Sequence, residues 1–213
     1  VRPRMIKPAG FRGAAFGDVS DGNGRDDGRD RRRISAELGI SNQWASVVQV
    51  HGPVVVGVDR PGPAGDGDGL ITVRPGLPLT VATADCVPII IEGDRSAAVI
   101  HAGWRGVAGG VIGAGLDAME AIGDTPRRAA IGPAIGPCCY EVGEDVLDAI
   151  AGFASTTTFG TPSVDLWAAS EAQLEGLAIW RAERCTFTDT DYWSYRRDGT
   201  SNRQIAVAWV PEN

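Results

Sequence analysis

The 213-residue sequence predicts one α/β domain, on three observations. Short β-branched runs recur between turn residues, and segments of helical length follow them. No repeat or linker divides the chain, so residues 1–213 are expected to form a single unit. One run, "VPIII" at Val87–Ile91, is apolar without alternation, which predicts a strand covered on both faces.

The elements follow in order. Residues 17–30, "GDVSDGNGRDDGRD", are rich in glycine and aspartate and read as a loop. Asp27 or Asp30 starts a helix through "RRRISAELGI", with Gly39 near its end. Strands are expected at Trp44–Val50, Val54–Val58, Leu70–Val73, Leu77–Thr83, Val87–Ile91 and Ala97–Ile100, with turn residues such as Pro61–Gly69 between them. Gly106–Ile122 has helical length despite five glycines. Glycine weakens a helix intrinsically, so this one is expected to pack closely against another backbone. "RRAAIGPAIGP" reads as a strand and then a loop, and "YEVGEDVLDAIAGF" and "VDLWAASEAQLEGLAIW" read as two helices. A polar loop, "TDTDYWSYRRDGTSNR", precedes a closing strand, "QIAVAWV".

Composition narrows the function. A net charge of −7 excludes nucleic acid as the main partner, because binding a phosphate backbone needs a basic face. Local clusters such as Arg31–Arg33 and Arg196–Arg197 remain able to hold one small anion. No stretch approaches the roughly 20 apolar residues of a membrane span. The opening "VRPRMIKPAGF" lacks the apolar segment of a secretory signal, and a cytoplasmic location is expected. Four cysteines, two of them adjacent, do not form a disulfide framework in a chain of this size.

Chemistry concentrates in a few places. The only two histidines, His51 in "VVQVHGPVVV" and His101 in "AAVIHAGWRG", both stand where an apolar run meets glycine. Cys86 in "ATADCVPI" sits at a similar strand end, and strand ends are where an α/β sheet fixes functional groups. Two imidazoles and a thiolate suit a three-ligand zinc site with a fourth position open. The plain alternative is two half-buried histidines and a packed thiol, because the spacing is long and irregular. Asp85, directly before Cys86, is placed to orient a histidine's second nitrogen. Arg105, four residues beyond His101, carries a fork suited to phosphate or carboxylate. The two Gly-Pro pairs of "IGPAIGPCCYEVG" make a rigid loop that either shapes a pocket, with Cys139 lining it, or serves as a tight crossover. Cys185 reads as structural.

The ordered segments "QVHG", "TADCVPI", "HAGWRG", "IGPAIGPCCYEVG" and "SYRRDG" together resemble the YfiH family across about residues 11–210. That family carries two descriptions, laccase-domain or polyphenol oxidase proteins and zinc-dependent purine nucleoside phosphorylases. The resemblance implies a single mixed α/β domain related to deamidase-like cysteine hydrolases. It implies a metal held by His51, Cys86 and His101, zinc in the one description and copper in the other. It also implies phosphorolysis of adenosine, inosine and methylthioadenosine, and deamination of adenosine. The partners would then be a purine nucleoside and phosphate, bound by a monomer or weak homo-oligomer. The chain departs from the family pattern at Asp30-Arg31, where an asparagine-arginine pair is expected, and at Ser201-Asn202-Arg203. A carboxylate at Asp30 would repel phosphate if it faced the pocket.

Arithmetic excludes a multicopper oxidase: two histidines supply no more than one copper centre, and neither Met5 nor Met119 is an obvious axial partner. Zinc chemistry on a nucleoside leads, with Arg31, Arg105 and Arg197 as anion contacts. A metal-free cysteine hydrolase is the alternative, with Cys86 as nucleophile, a histidine as base, Asp85 as orienter and a peptidoglycan-precursor amide as a conceivable substrate. A non-catalytic metabolite sensor is the third reading.

Overall fold

The computed structural model describes residues 5–24 and 28–212. Two mixed sheets lie face to face, and each carries helices on its outer side. The first has the order β1 (Ala14–Phe16), β13 (Gln204–Ala208), β6 (Leu79–Thr83), β2 (Ala45–Val48) and β4 (Gly62–Asp66). The second has the order β12 (Ala178–Arg181), β9 (Pro126–Ile131), β7 (Val87–Gly93), β8 (Ala97–Ala102), β5 (Gly69–Thr72) and β3 (Val55–Gly57). A hairpin of β10 (Ala154–Thr156) and β11 (Pro162–Val164) stands apart.

Side-chain alternation along the strands builds the layers, because successive residues point to opposite faces. In β7, Ile90 packs with Val81, Leu79 and Ala206 of the first sheet. Its neighbours Ile89 and Ile91 pack with Val111, Ile112 and Met119 on the other side. In β13, Ala206 and Ala208 face between the sheets, whereas Ile205 and Val207 meet Ile34 and Trp44 outside. The expectation for Val87–Ile91 therefore holds: the strand is buried throughout and covered on both faces.

The helix α1 (Arg29–Leu38) covers the outer face of the first sheet. It ends at Gly39, whose left-handed backbone returns an N–H to the Ser35 carbonyl, a C-terminal stop that glycine adopts without steric cost. Of the two residues expected to start it, Asp27 lies outside the described residues, and Asp30 falls within the first turn. The loop before α1 contains a 3-10 turn at Val19–Asp21, capped by the Asp18 side chain.

The long glycine-rich helix is two helices, α2 (Trp104–Ala108) and α3 (Val111–Ala121). Gly109 and Gly110 break it, and Gly110 has φ +85°, which closes a helix that a side-chain-bearing residue would continue. The close packing read from its glycines is present. A Cβ at Gly115 would lie 2.6 Å from the end of Ile100, and one at Gly106 would lie 3.4 Å from the Gly52 carbonyl oxygen.

Four further expectations need correction. Pro61–Gly69 contains β4, a parallel edge strand beside β2, where pairing overrides a composition poor for strands and an edge tolerates Pro63. The segment from Val164 is not one helix: α5 (Leu166–Ala172) ends at Gln173, Gly176 turns with φ +89°, and β12 joins β9 in parallel. The polar tail loop holds a short helix, α6 (Tyr195–Asp198), capped by Ser194 and closed by Gly199. The helix read from Tyr140 is shorter, α4 (Glu144–Ala149). Among the described residues no helix is long and apolar enough to cross a membrane.

Candidate metal centre

Two crossovers between the sheets meet at one place. His51 lies in the passage from β2 to β3, and Asp85-Cys86 in the passage from β6 to β7. β2 and β6 are neighbours in the first sheet, so their exits lie side by side. His101, on β8, stands opposite Pro88 in the adjacent strand β7. The ligand atoms of His51, Cys86 and His101 consequently lie within 4.8 Å of one another. The two imidazoles meet edge to face, with ring centroids 4.7 Å apart. This is the convergence expected from sequence, reached across chain separations that carry no local signal.

The residue that organises the cluster was not read from sequence. Asp68, fully buried just before β5, accepts a hydrogen bond from His101 Nδ1 at 2.7 Å. That contact leaves the other ring nitrogen of His101 for the cluster. The same carboxylate accepts the backbone N–H groups of Val50, His51 and Gly52 at 3.2, 2.9 and 2.7 Å. His51 has φ +61°, an uncommon conformation for a residue with a side chain, and the three bonds hold it there. Burial alone would raise the Asp68 pKa; the His101 ring and the Gly52 N–H outweigh it and hold the carboxyl below its ordinary value. In "GDGDGL" this aspartate has only the signature of a turn.

Asp85 has a different task from the one expected. Its Oδ1 accepts from the Thr186 hydroxyl at 2.7 Å, and its Oδ2 from the backbone N–H of Arg196 at 2.7 Å. It ties α6 and the Thr186 segment to the Cys86 strand end, and the orientation of His101 falls to Asp68.

The electrostatics favour an ionised thiol. Burial opposes it, but the His101 charge and the hydrogen bonds from both histidines lower the Cys86 pKa to about 6. Burial likewise disfavours the His101 cation, yet Cys86 and Asp68 raise its pKa to about 9. Gly103 forms the floor: a Cβ there would approach His51 Cδ2 at 3.1 Å and Cys86 Sγ at 3.2 Å. Two nitrogens and a thiolate, converging on one point with a carboxylate behind one imidazole, fit the donor set and supporting shell of a zinc-type ion.

The expected substrate contacts divide. Arg105 is exposed at the start of α2, with its guanidinium 4.2 Å from the centroid of the Trp104 ring. Arg197 is corrected to a structural residue. Its NH1 and NH2 groups bond the carbonyls of Thr186, Phe187 and Tyr192, and its Nε and NH2 groups bond Asp198. The neighbouring Arg196 is exposed, and its guanidinium lies 5.4 Å from the centroid of the Tyr140 ring. Tyr140, also missed from sequence, is half-buried beside Cys86. Burial and then the Cys86 charge push its pKa up to about 12, so it stays protonated. Arg31 stacks on Trp44, 5.2 Å from the ring centroid, and lines a cavity of about 360 Å³ with Gln49 and Ala82. None of the three ligands lines that cavity. Asp30 points at Gly22 and Arg33. Cys139 is buried in a sulfur cluster with Cys138 and Cys185.

Fold and site thus define a mixed α/β protein with a three-ligand His-Cys-His centre at the junction of its two sheets. The chain matches the family described as multi-copper polyphenol oxidoreductase laccase over residues 11–211, and it belongs to that family. It is 37% identical to a purine nucleoside phosphorylase of Streptomyces griseus, over 94% of this chain and 90% of that protein. Its structure resembles the crystal structure of YlmD from Geobacillus stearothermophilus, with a TM-score of 0.84 and 29% identity over 99% of this chain and 98% of the other. YfiH of Bacillus licheniformis gives a TM-score of 0.80 at 25% identity, covering 92% of each chain.

Proposed function

We propose that the protein is a zinc-dependent purine nucleoside phosphorylase acting on adenosine, inosine and methylthioadenosine, with adenosine deamination as a second activity. The observation that carries this reading is the convergence of the His51, Cys86 and His101 donors within 4.8 Å, backed by Asp68. The relationship to a protein named purine nucleoside phosphorylase supplies the reaction class. His51, Cys86 and His101 would hold the ion, which supplies Lewis acidity and lowers the pKa of water to about 7.

The chain's own residues do the rest. Arg105 and Arg196 present two cations beside Tyr140, and they hold phosphate where one of its oxygens can reach the sugar's anomeric carbon. As that oxygen forms its bond, the carbon–nitrogen bond breaks and its electron pair passes to the purine, which takes up a proton from solvent. Tyr140, protonated at neutral pH, donates through Oη to the negative charge that develops. Asp85 positions Arg196 through the backbone N–H of that residue.

Purified protein incubated with inosine should release hypoxanthine and ribose 1-phosphate only when phosphate is supplied. Absence of base release from inosine and from adenosine, with zinc present, defeats the reading.

One observation favours a second reading. Cys86, His101 and Asp68 form a thiol–imidazole–carboxylate series in which the orienting carboxylate is Asp68 rather than Asp85. A metal-free cysteine hydrolase would use these three and leave His51 without a task. One tightly held zinc per chain, with Cys86 protected from alkylation, rejects it.

A further inference from the structure

The chain has a second cluster of ligating side chains that the nucleoside reaction does not use. Cys138 and Cys139 end the Gly-Pro loop, and Cys185 reaches them from the segment after β12. Their sulfurs lie within 4.8 Å of one another, with Cys138 Sγ 3.0 Å from Cys139 Sγ and 3.6 Å from Cys185 Sγ. All three are free thiols. We propose that Cys138, Cys139 and Cys185 form a second, three-coordinate metal site that takes a soft monovalent cation of the cuprous type.

Geometry supports a cation at the centre. With metal–sulfur bonds of about 2.3 Å, sulfurs around one ion sit about 3.8 Å apart in a tetrahedral site and about 4.0 Å apart in a trigonal one. The two separations from Cys138, 3.0 and 3.6 Å, are shorter than these values, and all three sulfurs lie within 4.8 Å of one another, so rotating the Cys138 and Cys139 side chains apart by about 1 Å seats the ion. Sulfur-only donor sets select soft cations. The surroundings decide the coordination number: Ile135, Tyr140, Trp167 and Phe187 pack around the thiols, and among the described residues no histidine or carboxylate joins the group. Zinc in a structural site asks for a fourth ligand that this shell does not offer.

Burial pushes the Cys138 and Cys139 thiols up, so a bound cation has to supply the charge that ionises them. Each sulfur that ligates releases its proton to solvent, through Cys138, the half-exposed member. The Cys185 sulfur accepts the Gly136 backbone N–H at 3.2 Å, a contact that remains when the sulfur carries charge. Thr186, next to Cys185, bonds Asp85, next to Cys86, so the two centres share one short run of hydrogen-bonded chain.

The test uses reduced, metal-free, full-length protein under anaerobic conditions, titrated with cuprous ion against a chromophoric cuprous chelator. His51→Ala/Cys86→Ala, which lacks the first site, should still bind one equivalent, with an X-ray absorption shell of three sulfurs. Adding Cys138→Ser should weaken that binding at least 100-fold, and adding Cys185→Ala in its place should do the same. Circular dichroism and melting curves check that each variant is folded, and Cys138 is the safer position because it is half-exposed. The proposal is overturned if the first-site variant binds no cuprous ion, if Cys138→Ser binds as tightly as its parent, or if the shell contains nitrogen or oxygen. Equal uptake of zinc in a four-coordinate environment would also overturn it. Phosphorolysis is not measured in any arm, so failure here leaves the nucleoside reading untouched.

Discussion

At the centre of the site one carboxylate has two duties, and they are separable. Asp68 accepts from His101 and from three consecutive backbone N–H groups. Asp68→Asn keeps the shape but replaces an acceptor oxygen with a donor that faces those N–H groups. Zinc affinity should fall 10- to 100-fold, as it does when a carboxylate behind a ligating histidine is lost. Stability should fall by about 1–3 kcal/mol, the cost of a buried group left unsatisfied. Because the folded pKa of Asp68 lies below its unfolded value, its charge stabilises the fold above about pH 4 and loses that effect as pH drops through the lower, folded value. The gap between wild type and variant in urea melts should therefore close in strong acid; a gap that persists unchanged there refutes the assignment. Cys86 gives a second readout. The thiolate is the nucleophile, so in metal-stripped protein its alkylation rate should stay high at neutral pH and fall with a midpoint near 6, well below the ordinary thiol value. A midpoint above 8 contradicts the geometry, and added zinc should suppress the reaction at every pH. The ligands themselves were legible because histidine is rare here and each sits at the end of an apolar run. Asp68 was not, since its partners are 16 to 33 residues away and its own neighbours look like a turn.

Elements were legible where burial and local chemistry agree. Val87–Ile91 and Ala97–Ile100 are apolar on both faces, and both strands form where expected. The failures occur where tertiary contacts decide. "GPAGD" becomes β4 only because β2 offers it a parallel edge, and Ala178–Arg181 leaves the helical pattern because β9 needs a neighbour. The break between α2 and α3 was visible as a surplus of glycine but not as a break, since only Gly110 takes a positive φ. Gly115 has a different reason for lacking a side chain: α3 lies against β8, and a Cβ would meet Ile100 Cδ1 at 2.6 Å. Gly115→Ala should thus cost about 1–3 kcal/mol despite the higher helix propensity of alanine, the usual range for overpacking. Pairing it with Ile100→Val, which removes the clashing methyl, should recover most of that loss. If Gly115→Ala alone proves stabilising in a thermal melt, α3 does not seat as closely as this.

For the molecule as a whole, the position of the centre has a thermodynamic consequence. His51 and Cys86 lie on the passages between the two sheets, and His101 lies within the second sheet. An ion shared by the three therefore fastens one sheet to the other, and unfolding either one destroys the site. An ion that binds only the folded state stabilises it by RT ln(1 + [L]/Kd), about 4 kcal/mol at a thousandfold excess over Kd. In a domain of this size each kcal/mol moves Tm by roughly 2–4 °C, so saturating zinc should raise it by about 8–16 °C. His51→Ala is the informative control because His51 is exposed, and its removal leaves both cores intact. That variant should melt close to the metal-free wild type and lose nearly all of the zinc response. A metal-free protein that melts in two steps would mean that the sheets unfold separately, and zinc should then merge the steps into one. A zinc response that survives in His51→Ala would place the stabilising ion elsewhere and would remove the ground for treating the three residues as one centre.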